Sequence, residues 1–212
     1  MPRVPTPFRF FVALMVCLSW GQTHAGPLVP GATIPAPSEP DPTGGVVQAG
    51  TGIAQPFVSP AGPGQFSGTL TTTVIKNDPS NLLGGITFTY RLTNDPQSLA
   101  AMERMTNLNF TGFLTDVSWQ SPAGGVIPTS VDRDTGSTIG WSFSQLGAGI
   151  INPGQASALL VIQTNALTFT AINANIIDGQ IAIVSSFGPG VPEPAALFVV
   201  GAGLLVLSRR RI

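Results

Sequence analysis

The chain of 212 residues has room for one ordinary domain plus targeting segments. Only 9% of its side chains are charged, and a net charge of −1 offers no field to recruit nucleic acid. Its one cysteine, Cys17, and its one histidine, His24, both fall within residues 1–25. A chain trimmed there has no disulfide, no Cys or His catalysis and none of the common zinc sites.

Residues 1–25 have the three parts of a secretory signal peptide. Arg3 and Arg9 give the positive start, residues 10–19 the short apolar core, and Thr23-His24-Ala25 the small residues that a signal peptidase reads. Cleavage is expected between Ala25 and Gly26. The apolar core is short for a membrane helix, which needs about 20 residues. Val16 stands where a lipobox wants a small residue before Cys17.

Residues 26–63 hold nine of the chain's 20 prolines and few side chains that could seed a core. They read as an extended Pro/Gly-rich linker, with one edge strand allowed within 46–58.

From about residue 64 the pattern turns to period two. Ile86, Phe88, Tyr90 and Leu92 share one face, with Thr87, Thr89, Arg91 and Thr93 on the other, as in a half-buried antiparallel strand. Leu70, Thr72 and Val74 repeat the pattern. Residues 108–119 read as one strand whose change of parity implies a bulge near Gly112 to Asp116. Further strands are expected at 139–143, 158–164, 168–174 and 180–187. Asp95 and Pro96 are placed to open a short helix carrying Leu99 and Met102 on one face. Turn signals such as Gly84-Gly85, Asn152-Pro153-Gly154 and Asp178-Gly179 separate the runs. The expected fold is all-β, an antiparallel β-sandwich ectodomain over residues 64–188.

Positions 26–190 carry four bases against nine acids, a net −5 that repels phosphate backbones. Asp132-Arg133-Asp134-Thr135-Gly136 is the densest polar cluster. Asp132 and Asp134 are candidate calcium ligands through oxygen, weighed against a turn made by local Asp-to-backbone bonds, with Arg133 neutralising a neighbour. The turn is preferred, and no metal, cofactor or catalytic residue is expected. A glycoside hydrolase needs two converging carboxylates, for which Glu103, Asp116, Asp132 and Asp134 are the candidates. A carbohydrate-binding adhesin would use Tyr90, Trp119 and Trp141 as a stacking face, whereas sandwich aromatics usually belong to the core.

The chain closes on Val191-Pro192-Glu193-Pro194, an apolar run from Ala195 to Leu207, and Arg209-Arg210-Arg211-Ile212. Pro194 suits the first turn of a helix. Residues 195–208 would rise about 21 Å, enough to span a thinned bilayer with flanking residues and snorkelling arginines. The three arginines act as the basic stop that stays in the cytoplasm. This order of Pro-Glu-Pro motif, apolar helix and basic cluster over 191–212 resembles the PEP-CTERM sorting domain. Phe110–Val117, Pro128–Arg133 and Leu160–Ala166 likewise resemble ectodomains found ahead of such tails. The resemblance implies an exosortase substrate: a precursor held transiently at the bacterial inner membrane, cut near the motif, and released to the cell surface or extracellular matrix. It implies exosortase and signal peptidase as partners, with exopolysaccharide as the surrounding material. The expected role is non-enzymatic and structural or biofilm-associated, with no nucleic-acid partner.

Overall fold

A computed structural model describes residues 27–121, 124–143 and 149–190. They form twelve strands and, among the described residues, no helix. In chain order the strands are β1 Thr33–Pro35, β2 Val46–Val47, β3 Ala54–Val58, β4 Ser67–Lys76, β5 Thr87–Asn94 and β6 Arg104–Asn107. They continue as β7 Thr115–Gln120, β8 Ser130–Arg133, β9 Ile139–Ser142, β10 Leu159–Thr164, β11 Phe169–Asp178 and β12 Gln180–Pro189.

Two antiparallel sheets result, one ordered β1-β8-β9-β6-β11-β12, the other β2-β4-β5-β10-β7 with β3 also on the outer side of β4. Their inner faces follow from the alternation. Leu70, Val74, Phe88, Tyr90, Leu92, Leu160 and Ile162 line the second sheet, and Met105, Val131, Ile139, Trp141, Ile176 and Val184 the first. Each large apolar side chain buried this way contributes about 1.5–3 kcal/mol. Two buried polar links tie the sheets together near β12. Thr72 and Ser186 share a hydroxyl hydrogen bond of 2.9 Å, and the Tyr90 hydroxyl donates to the Phe187 carbonyl at 2.9 Å.

Three sequence expectations are corrected. Residues 26–63 are no free linker where they are described. Leu28 and Phe57 enter the core, β1 pairs with β8, and β2 and β3 pair with β4. Between β1 and β2 the segment passes the edge of β7, where Trp119 N–H donates to the Pro37 carbonyl at 2.9 Å. The segment is therefore a strap joining both sheets. Its prolines lie where no donor is required of them, so they do not prevent pairing.

The expected helix at Asp95 is a turn. The Asp95 carboxylate accepts from the Ser67 hydroxyl at 2.8 Å, and Ser98 N–H donates to the Asp95 carbonyl at 3.0 Å. Met102 is buried but Leu99 is 72% exposed, so the two do not share a face.

Residues 108–119 are not one bulged strand. β6 ends at Asn107 in the first sheet and β7 starts at Thr115 in the second. The crossing turns at Asn109 and Gly112, both left-handed at φ 76° and 81°. The shift of parity marks a change of sheet.

Candidate functional site

The expected sorting residues Val191, Pro192, Glu193 and Pro194, the expected stop Arg209, Arg210 and Arg211, the expected helix over 195–208 and the expected cleavage pair Ala25 and Gly26 lie outside the described residues. The described fold runs up to their border. Gly190 N–H donates to the Thr168 carbonyl at 2.8 Å, so the β11–β12 ladder holds the chain one residue before Val191. Among the described residues, no helix is long and apolar enough to cross a membrane.

Asp132 and Asp134 sit two residues apart but serve different structures. Asp132 is on the outer face of β8 and takes both arms of the Arg104 guanidinium, at 2.7 and 2.8 Å. Arg104 belongs to β6, two strands away, and also donates to the Ser142 hydroxyl at 2.7 Å. To reach Asp132 the guanidinium lies flat across Gly140 of β9, where even a methyl group would collide with it. Glycine there lets one ion pair span three strands. Asp134 follows β8 in a turn. Its Oδ1 accepts from the Gly136 and Thr138 N–H groups, each at 2.9 Å. The bond from Thr138 is the main reason its carboxyl titrates below the usual range. The turn reading of Asp134 therefore holds, whereas Asp132 belongs to a strand. Among the described residues, no group of three or more His, Cys, Asp or Glu side chains could hold a metal ion.

Arg133 departs furthest from expectation. It is not a surface residue; alternation along β8 sends it inward, 3% exposed, although its charge still helps to lower the pKa of Asp134. Its Nη1 donates to the Leu28 carbonyl at 3.2 Å and the Thr115 hydroxyl at 3.0 Å, and its Nη2 to the Phe110 carbonyl at 2.6 Å. Burial pushes the guanidinium pKa down, and the charge of Asp134 partly opposes this. Three backbone segments thus converge on one cation.

The stacking-face aromatics do not form an exposed row. Tyr90 and Trp141 are wholly buried, in opposite sheets. Trp119 is partly buried against the core, with Nε1 donating to the Ala36 carbonyl at 3.0 Å.

A further polar cluster escaped the sequence reading because one of its sides comes from the strap. Asp78 Oδ1 accepts from the Ser80 hydroxyl at 2.7 Å, the Ser80 N–H at 3.1 Å and the Thr43 N–H at 3.3 Å. Its Oδ2 accepts from the Thr87 hydroxyl at 2.8 Å, and Gln163 donates to Ser80 at 3.1 Å. Asp41, only 8% exposed, lies against the same group. Burial first, then a hydrogen bond with Glu39 and the charges of Glu39 and Asp78, lift its pKa to about 6, against a lowering bond from Ser80. The folded state thus favours protonated Asp41. The resulting stability is fully present below about pH 3.8 and is lost as pH rises through about 6. Asp41→Asn, which mimics the neutral form, is expected to flatten this window. In thermal melts from pH 4 to 8 the variant should match the parent at pH 4 and exceed it at pH 8, by on the order of 2 kcal/mol. Parallel pH profiles would refute the assignment.

Comparison with known proteins gives no match for the chain among family models, curated proteins or solved structures.

Proposed function

We propose that this chain is an exported bacterial surface or extracellular-matrix protein, sorted and processed by an exosortase through its C-terminal Pro-Glu-Pro motif, with a structural, non-enzymatic role. In this reading residues 1–25 are a removable signal peptide, and residues 195–208 a single transmembrane helix held until processing. The observation that carries it is the ordered tail: Val191-Pro192-Glu193-Pro194, the apolar run, then Arg209-Arg210-Arg211 at the end of a chain that opens with a signal peptide. The basic residues at both ends give one orientation, with positions 26–190 outside.

The described fold suits this reading in one respect. Its last ladder bond is at Gly190, so the handle begins where the sheet stops. Glu193 between two prolines is a stiff, charged segment whose backbone is set in advance, which suits recognition by a membrane enzyme. Asp132 bound to Arg104 and Asp134 engaged in its own turn are spoken for structurally, which weighs against the hydrolase alternative. The inward aromatics weigh against the stacking face of an adhesin.

Glu193→Ala tests the proposal in an exosortase-positive host. The variant should still be exported and lose its signal peptide, yet keep its full C terminus by intact mass. Normal trimming of that variant, or equal mass of the native protein in hosts with and without the exosortase, would sink the sorting role.

A further inference from the structure

Three connections meet at the end of the sandwich where β12 stops. Residues 77–86 join β4 to β5, 108–114 lead from β6 into β7, and 165–168 join β10 to β11. The registers bring them to one end: Ile75 and Gln163 both pair with Thr87, and Thr164 pairs with Thr115. Hydrogen bonds then tie connection to connection. Leu114 N–H donates to Asn165 Oδ1 at 2.9 Å, Asn81 Nδ2 to the Thr164 carbonyl at 3.1 Å, and Ile86 N–H to the Ala166 carbonyl at 2.9 Å.

Each connection turns one leucine to solvent. Leu82 is 74% exposed, Leu114 55% and Leu167 76%. Residues 79–86, 108–114 and 165–168 contain no charged side chain. Asp78, just before the first of these runs, is buried and takes its bonds from Thr43, Ser80 and Thr87. Asp134, exposed at the same end, folds its carboxylate back onto the Gly136 and Thr138 N–H groups. Leucine gains strongly on leaving water. Three of them fixed on one uncharged tip mark a contact surface.

The course of the chain indicates what that surface meets. Gly190 bonds to Thr168, next to Leu167, and Asn109 Nδ2 donates to the Pro189 carbonyl at 2.7 Å. The C-terminal tail therefore leaves the fold from this tip. Ala195, the start of the apolar run, follows Gly190 by five positions, at most about 18 Å of extended chain. The headgroup layer takes up about 5–7 Å of that reach. A run that rises only about 21 Å in a core of about 30 Å pulls its flanks inward and shortens the tether again. We propose, on the reading of residues 195–208 as a transmembrane helix, that this tip is a lipid-docking surface, with Leu82, Leu114 and Leu167 seated at the headgroup boundary of the membrane that holds the tail. Apolar side chains settle about 5–10 Å into that boundary. Lys76, partly exposed at the end of β4, suits the phosphate level of the same layer. The sandwich then stands on its tip, with its opposite end, where Leu99 lies, away from the bilayer.

The test uses the full chain with Cys17→Ser, so that each introduced thiol is the only one. It is exported in a host without exosortase, so that the tail is kept, and reconstituted in phosphatidylcholine vesicles. Leu82→Cys, Leu114→Cys, Leu167→Cys, Leu99→Cys and Leu204→Cys, made singly, each carry a small fluorophore. A nitroxide at a shallow acyl position of the lipid is the quencher. The three tip positions should be quenched severalfold more than Leu99, which is 72% exposed, and Leu204 should report the tail in lipid. Tip labels no more quenched than Leu99, with Leu204 quenched, overturn the docking and leave the tail reading standing. A Leu204 label in water overturns both. Tip labels shielded from iodide yet untouched by the nitroxide would put protein on the tip, which also overturns the docking. Leu82→Asp with Leu114→Asp separates insertion from mere nearness. Both sites are exposed, so circular dichroism and melting temperature should not change. Quenching at Leu167→Cys should fall severalfold in that pair, with Leu204→Cys unaffected; equal quenching at Leu167→Cys would mean that the tether alone brings the tip close, and refutes the docking.

Discussion

Arg133→Ala is expected to destabilise the fold by about 3–5 kcal/mol, because it removes three buried hydrogen bonds from a charged donor at once and leaves a void where the side chain lay. The carbonyls of Leu28 and Phe110 and the Thr115 hydroxyl all take hydrogen bonds from this guanidinium. The Leu28 carbonyl keeps the Thr115 hydroxyl at 2.9 Å and the Phe110 carbonyl keeps the Phe113 N–H at 3.2 Å. The loss is therefore that of the bonds themselves, about 1.5–3 kcal/mol each for a charged donor, and the terms do not simply add. Arg133→Lys should not restore the loss, since one compact ammonium cannot reach acceptors spread over both arms of a planar fork. Arg133→Met should be milder than alanine. It fills the volume and removes a cation that meets no carboxylate at its buried end, Asp134 being committed to its own turn. Urea unfolding measures the three losses. Limited proteolysis adds a local readout: in the alanine variant the strap should be cut after Leu28 long before the rest of the domain. Equal stability of alanine and native proteins would show that the convergence on Arg133 carries no weight.

Trp141→Ala is expected to cost a similar amount, about 3–5 kcal/mol, by a different route. Trp141 is wholly buried on the inner face of β9, beside Met105 and Val131 in the register of the first sheet. Deleting the indole leaves a void that the neighbours refill only in part. The melting temperature should fall by on the order of 10 °C. Trp141→Phe should lose much less. The indole N–H has no hydrogen-bond partner among the described residues, so the ring matters here for its volume. If alanine left the melt unchanged while altering binding to polysaccharide, Trp141 would have to be a ligand contact after all. That result would revive the adhesin alternative.

The parts of the fold that were legible are those where side-chain periodicity reports the backbone. The alternation Phe88, Tyr90, Leu92 became the inner face of β5, and the run 158–164, apolar on both faces, became β10 between β5 and β7. The strap was illegible for a physical reason. A segment held by backbone bonds at a sheet edge needs only an occasional inward anchor such as Leu28 or Phe57, so its sequence shows proline spacing and little alternation. β8 was hidden by chemistry. Ser130, Val131, Asp132 and Arg133 do alternate, but the inward set includes an arginine, and a charge there reads as surface. Asp41 was obscured with the strap that carries it. The proposed sorting tail is the reverse case: the Pro-Glu-Pro motif, the apolar run and the basic cluster are read from residue order alone.

The strap also imposes an order of assembly. A chain is made from its N terminus onward, yet Thr33 finds its sheet partner at Asp132, and Leu28 waits for Thr115. The first of the described segments thus has no sheet partner when it is made, and it must stay solitary while about half the polypeptide emerges. A proline-rich stretch suits that delay, since it gives passing strands few donors to seize. What looks in the sequence like mere spacing is timing: a latch kept open until the strands it closes upon have arrived.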